Sequence, residues 1–337
     1  MSTWKSILIA LLIGAAIGLV AGVVTAPERK QQKESKLEQT HEEPEAESSS
    51  AEKPESSSAD KDTGIPTPDT EEYKEYLEKV AEEKNITIEG LGELGVADEA
   101  YHYLLNTSYP RNDYDKNAFE ESETGQRSYT DTKKYTSRCG IDVSEFNGEI
   151  DWNQVKQAGY EFVFIRLGYR GYESGELYMD ALFEKNLQGA QEAGLDVGVY
   201  FFSQAATEDE AREEAAYVLH QLDGIDLQLP VMYDPEAISF DTARTDKVTG
   251  SQFSKNALVF CKEIEKGGYE AGYYANLKWL VFMLDMKALE EYDVWFAGYD
   301  AQPKSPYAFT FWQYSDTGEV PGVPENTDLD IQLIPTS

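Results

Sequence analysis

The stretch Leu229-Pro-Val-Met-Tyr-Asp-Pro-Glu236 is an apolar run closed by two carboxylates with one residue between them. In an extended strand, side chains two apart share a face, so Asp234 and Glu236 point into one space. Pro235 cannot donate to a sheet ladder and is excluded from the middle of a central strand, so the strand stops near Asp234. Two carboxylates crowded into one pocket repel each other's charge, which raises the proton affinity of one while the other stays ionised. Such a pair is suited to acid catalysis at a glycosidic bond. An Asp-x-Glu triplet also occurs on solvated loops, so the surrounding pattern decides its meaning.

From Cys139 onward, short β-branched and aromatic runs alternate with segments of helical period. The runs are Gly140 to Val143, Phe162 to Gly168, Val197 to Ser203, Leu229 to Asp234, Ala271 to Ala275, Val294 to Ala297, Phe309 to Tyr314 and Leu329 to Leu333. The helical segments are Trp152 to Ala158, Asp180 to Ala193, Glu208 to Leu222, Gln252 to Lys266 and Leu277 to Glu290, the third opened by the capping box Thr207-Glu-Asp-Glu210. Alternation of this kind builds parallel βαβ units, and eight strands close a barrel. The expected fold is therefore α/β: an irregular TIM-like β/α barrel of five β/α units and three closing strands.

Active sites of β/α barrels lie at the C-terminal ends of the strands. Strand one ends in Asp142, strand two offers Arg166, strand three Tyr200, and strand four Asp234 and Glu236. Strand seven carries Trp312, Gln313 and Tyr314, and strand eight begins at Asp328 and Asp330. Taken singly, each has an ordinary structural use: Asp142 as a helix cap, Asp328 on a solvated loop, Arg166 as the ion-pair partner of a barrel carboxylate. Tyr200, Tyr299, Trp312 and Tyr314 are equally suited to stacking on sugar rings or to packing the barrel.

Ahead of the barrel the composition changes. The net charge of −34 excludes nucleic acid as a partner, because phosphates would be repelled. Ile7 to Val24 is a run of uncharged, largely apolar residues long enough to span a bilayer, which needs about 17 to 25 residues. Residues 1–27 are read as a transmembrane anchor; the rival is a signal peptide cleaved near Val24-Thr25-Ala26, which Pro27 disfavours. Residues 28–64 are expected to be a disordered acidic Glu/Ser/Lys linker with a reach of roughly 30 to 35 Å. Residues 65–137 form a connector in which Asp69-Thr-Glu-Glu72, followed by Tyr73, Tyr76, Leu77 and Val80, predicts one helix. The basic residues Arg29, Lys30, Lys33 and Lys36 against Lys5 favour a cytoplasmic C-terminus, whereas the function considered below needs an external one. His41, His102 and His220 are scattered without ligand spacing, so neither a metal site nor a cofactor is expected. Cys139 and Cys261 could form a disulfide outside the cell or be two buried thiols, of which the sequence slightly favours the thiols.

Five stretches together carry a resemblance: Gly140-Ile-Asp-Val-Ser-Glu-Phe-Asn-Gly-Glu-Ile-Asp-Trp152, Phe162-Val-Phe-Ile-Arg-Leu-Gly168, Ala193-Gly-Leu-Asp-Val-Gly-Val-Tyr-Phe-Phe-Ser203, Pro230-Val-Met-Tyr-Asp-Pro-Glu236 and Phe311-Trp-Gln-Tyr-Ser315. In this order they resemble the successive motifs of glycoside hydrolase family 25, the lysozymes of bacterial and phage muramidase type, over residues 138–337. The resemblance implies hydrolysis of the β-1,4 bond between N-acetylmuramic acid and N-acetylglucosamine in peptidoglycan. It implies Glu236 as general acid, Asp234 as its partner carboxylate, and Asp142 and Asp328 as further acids of the cleft. Phe146-Asn147 stands where many members carry Trp-Gln, and Pro235 replaces a residue with a free N–H. The expected protein is thus a single-pass membrane enzyme with an external barrel acting on cell-wall glycan. The alternatives are a non-catalytic sugar-binding barrel and a glycosidase for another N-acetylated polymer.

Overall fold

The computed structural model describes residues 109–238, 241–277 and 279–336. The expected anchor, linker and connector helix lie outside these residues. The elements below belong to one compact unit. It opens with a hairpin of β1 (Phe119–Glu121) and β2 (Arg127–Tyr129), and the chain then enters the barrel through β3 (Tyr135–Val143) and β4 (Phe162–Arg170). There follow β5 (Leu177–Met179), β6 (Asp196–Ser203), β7 (Val231–Pro235), β8 (Ala271–Asn276), β9 (Asp293–Ala297), β10 (Phe311–Gly318) and β11 (Thr327–Pro335).

Eight of these strands close on themselves in the order β3-β4-β6-β7-β8-β9-β10-β11. All neighbours run parallel except β11, which lies antiparallel between β10 and β3. Reversing the last strand brings its start, not its end, to the mouth, where Asp328 sits directly opposite Asp142. β5 stands outside the closed ring and pairs antiparallel with the end of β4. Each expected strand has its counterpart among the eight.

Among the described residues, four α-helices cover the outside: α1 (Trp152–Gln157), α2 (Phe183–Glu192), α3 (Glu208–Leu222) and α4 (Gly250–Lys266). Asp151, Thr207 and Thr249 cap α1, α3 and α4 by accepting backbone N–H groups of the first turn. The capping box before α3 forms by half, since Glu210 reaches back to the N–H of Ala206 rather than that of Thr207. The fifth expected helix, Leu277 to Glu290, is not an α-helix. It contains a π-turn at Trp279–Met283, after which the Asp285 side chain accepts the N–H groups of Lys287 and Ala288, and the Asp285 N–H is drawn to Ser254 of α4 at 2.7 Å. These local bonds replace the helical ladder. Its apolar stripe is nevertheless core, with Leu280, Leu284 and Leu289 all buried.

The barrel interior is filled with rings. Phe162, Phe164, Trp295 and Phe311 pack with Leu229, Met232 and Tyr200, with Phe164 stacked on Trp295 at 4.8 Å. Glycines facing inward make the room: a Cβ on Gly140 would lie 2.3 Å from the Phe162 ring, and one on Gly198 2.5 Å from Phe164. The carboxylates of the mouth therefore stand on an apolar floor with no bulk water beneath. A second apolar layer between strands and helices includes Val155, Leu187, Val218, Phe260 and Ile264, each worth about 1.5–3 kcal/mol when fully withdrawn from water.

Residues 109–134 strap the barrel on the side of β10, β11 and β3. Asn112 exchanges two hydrogen bonds with the backbone of Phe309, at 3.0 and 2.8 Å, and Lys134 pairs with Asp113 at 3.0 Å. Phe309 precedes β10 and Lys134 precedes β3, so the strap begins at the end of the barrel opposite the mouth. It then climbs the outer wall, where Phe119 packs edge-on against Trp312 at 5.4 Å and Arg127 lies over the rings of Trp312 and Tyr314.

Candidate active site

β7 ends at Pro235, with Asp234 opposite Phe202 and Pro235 opposite Ser203 of β6. Asp234 is buried and Glu236, the first residue past the strand, is half-buried. A hydrogen bond joins the two carboxyls, and one oxygen of Asp234 is otherwise sealed without a partner. Burial, then the charge of Glu236, drives the proton affinity of Asp234 well above the carboxylate range; Arg166 opposes this and the hydrogen bond reinforces it. Desolvation disfavours the charged form, and a like charge nearby adds to that cost. Burial and the facing charge thus favour the protonated form of Asp234.

Across the mouth stand Asp142, Asp328 and Asp330, from β3 and β11. Gln313 Nε2 donates to Asp142 at 2.7 Å, while its Oε1 accepts the hydroxyls of Tyr274 at 3.1 Å and Tyr299 at 3.0 Å. Two donors on the amide oxygen fix the amide so that its N–H faces the carboxylate. Asp330, one layer deeper and fully buried, accepts the Trp295 indole N–H at 2.8 Å. Burial pushes its carboxyl from 3.8 to about 8, the indole opposing.

The structure brings together Asp142, Asp234, Glu236 and Asp328 at one mouth, as the strand-end rule requires. Tyr200 joins them as a buried floor residue, edge-on to Trp295 at 5.7 Å, its hydroxyl held protonated by burial and by Asp142. Arg166 also faces the mouth, but as a fixed cation: it pairs with Asp180 at 2.8 Å and Glu145 at 3.5 Å, between the rings of Phe146 and Tyr169. Tyr299 is 51% exposed and offers a ring beside the acids.

Trp312 and Tyr314 do not belong to the site. Side chains alternate along β10, so Phe311 and Gln313 face inward while Trp312 and Tyr314 face the strap. The indole N–H of Trp312 is spent on the carbonyl of Gly298 at 2.7 Å, and the Tyr314 hydroxyl accepts the N–H of Arg127 at 3.2 Å. Their inward neighbour Gln313 is the residue of this strand that faces the acids. Its register with Asp330 marks it, since paired residues share a face. Cys139 and Cys261 are free.

A β/α barrel that gathers carboxylates from several strand ends over an apolar floor has the build of a carboxylate-dependent glycosidase. The model of glycosyl hydrolases family 25 matches residues 141–323, just over half of the 337-residue chain, and the chain belongs to that family. It is 26% identical over 192 residues to the autolytic lysozyme of Clostridium acetobutylicum, covering 57% of this chain and 54% of the relative. This chain thus spans about half the length of that relative. A shorter match, 39% over 64 residues, covers 19% of this chain and 20% of lysozyme M1 of Streptomyces globisporus. Among solved structures, the fold is shared with the modular autolysin LytC of Streptococcus pneumoniae in complex with a synthetic peptidoglycan ligand. That likeness has a TM-score of 0.52 at 20% identity over 64% of this chain and 52% of that one. A family 25 glycosyl hydrolase from Bacillus anthracis gives 0.50 at 23% identity over 63% and 94%.

Proposed function

We propose that this chain is a muramidase that hydrolyses the β-1,4 bond between N-acetylmuramic acid and N-acetylglucosamine in peptidoglycan. The observation that carries the reading is the placement of the carboxyl pair Asp234 and Glu236 together at the barrel mouth, Asp234 buried at the end of β7 and Glu236 just past it. Asp234 is the resting place of the proton and Glu236 its carrier. Glu236 takes the proton across the hydrogen bond and delivers it to the leaving glycosidic oxygen, leaving Asp234 as a carboxylate facing the developing oxocarbenium charge. Glu236 then withdraws a proton from the attacking water and returns it to Asp234, which closes the cycle. Asp142, oriented by Gln313, and Asp328 line the opposite side for polar groups of the sugar. Tyr299 supplies a stacking face.

Residues 7–24 tether the enzyme to the membrane as a single pass, with the barrel outside, where its substrate lies. This requires overriding the basic residues after the span. The activity test is the muropeptide profile released by the full-length protein in detergent, with Glu236→Gln as control. The expected result is new muramic acid reducing ends from the wild type and a rate about 10²–10⁴-fold lower in the variant. Binding of peptidoglycan without cleavage would replace the enzyme with a sugar-binding barrel, and reducing ends of another sugar would replace the substrate. Protease protection on intact cells tests topology, and a barrel shielded inside the cell would remove the localisation.

A further inference from the structure

Gln204 lies one residue past the end of β6 and is fully buried. Its amide Nε2 donates to the backbone carbonyl of Glu236 at 2.7 Å, and its Oε1 accepts the Thr245 hydroxyl at 2.7 Å. The Glu236 carbonyl can only accept, so it takes the Nε2 end of the amide, and the Thr245 hydroxyl holds the Oε1 end in place. The backbone of Gln204 is held as well. Its carbonyl accepts Arg244 Nη1 at 2.6 Å, and the same nitrogen donates to Glu210 of α3 at 2.8 Å. The next carbonyl, that of Ala205, accepts Asn256 Nδ2 of α4 at 2.8 Å. Residues 204 and 205 are thus anchored from two helices and from the segment before α4.

Glu236, in contrast, has left the ladder. The last paired residue of β7 is Pro235, which has no N–H to give. Beyond that point the strand ladder no longer holds the backbone, and the directed bond from Gln204 does hold it at the carbonyl of Glu236.

We propose that Gln204 is a positioning residue for Glu236: its buried amide sets where the backbone of the acid leaves the barrel, and so how the carboxyl meets Asp234 and the scissile bond. The proposal rests on Glu236 being the acid. Misplacing a catalytic group by about 1 Å costs on the order of 10²-fold in rate.

The test uses the full-length protein in detergent, with kcat, KM, pH profile and Tm measured for wild type, Gln204→Met, Thr245→Val and Glu236→Gln. Methionine keeps the volume and removes the donor. Gln204→Met is expected to lower kcat by about 10- to 100-fold with KM within about twofold, and to displace the pH profile, because the two carboxyls no longer meet in the same geometry. Thr245→Val keeps the amide but frees its orientation, for a smaller loss of about two- to tenfold. A purely structural residue would lower Tm and leave the pH profile of the folded enzyme in place. A folded Gln204→Met enzyme with wild-type kcat and pH profile overturns the proposal. Should Gln204→Met not fold, wild-type kcat and pH profile in Thr245→Val overturn it instead. Wild-type rates in Glu236→Gln would overturn the acid assignment itself, and loss there with wild-type rates in Gln204→Met overturns the clamp alone.

Discussion

The two faces of β10 are made of alternating residues on one backbone, yet they do different work. Inward, Phe311 extends the ring-filled floor and Gln313 presents its amide to Asp142. Outward, Trp312 and Tyr314 are sandwiched under Arg127 and Phe119. Polar groups inside are left close to one another, the buried carboxyl of Asp234 beside Glu236 and that of Asp330 beside Asp142 and Asp328. The indole and hydroxyl outside are spent on the backbone. One wall thus separates groups arranged for chemistry from groups arranged for cohesion, and substitutions on its two sides should fail in different ways.

The largest effect belongs inside. Asp234→Asn keeps the shape but cannot lend a proton, so kcat should fall by about 10²–10⁴-fold with little change in Tm, measured by reducing-end release and calorimetry. A loss of fold instead of rate would erase the distinction. Outside, Trp312→Ala should cost about 3–5 kcal/mol of stability, a Tm drop of about 2–4 °C per kcal/mol, while kcat per folded molecule at low temperature stays near wild type. A smaller change is expected at the exposed lip, where Tyr299→Leu should raise KM about two- to tenfold through loss of ring contact. A change in kcat alone would move Tyr299 from binding to positioning.

The smallest effect concerns pH. Asp330 holds its proton more tightly folded than unfolded, so its contribution to stability is full below 3.8 and is lost as pH rises to about 8. Glu214, buried against Arg170 and Ser203 and raised to about 7 by burial, acts in the same direction. The wild-type Tm should therefore decline between about pH 4 and pH 8. Asp330→Asn should flatten that decline, as followed by thermal melts across the range.

Much of this was legible because each catalytic candidate ends or begins a run of period two. Asp142 and Asp234 stand near the ends of apolar strands, Glu236 follows one directly, and the antiparallel β11 delivers Asp328 to the same end. Aromatic residues were less legible. Trp312 and Tyr314 have the right chemistry for sugars, but the parity of their strand, not their chemistry, decides the face. Gln313 carries the opposite parity and was the better candidate. The fifth helix failed because apolar spacing reports burial, whereas the side chains of Asp285 and Ser254 decide the local hydrogen bonding. The strap has no period at all. Its hold comes from Asn112 and Arg127 reaching residues far away in the chain.

That strap also has a mechanical meaning. The first described residues are fastened at the end of the barrel remote from the acids, through Asn112 to Phe309 and Asp113 to Lys134. A force applied to the chain at residue 109 enters the molecule there and is taken up by the outer wall. The catalytic rim lies off the load path. The mouth lies at the other end of the barrel from that fastening, so a pull at residue 109 does not pry it open.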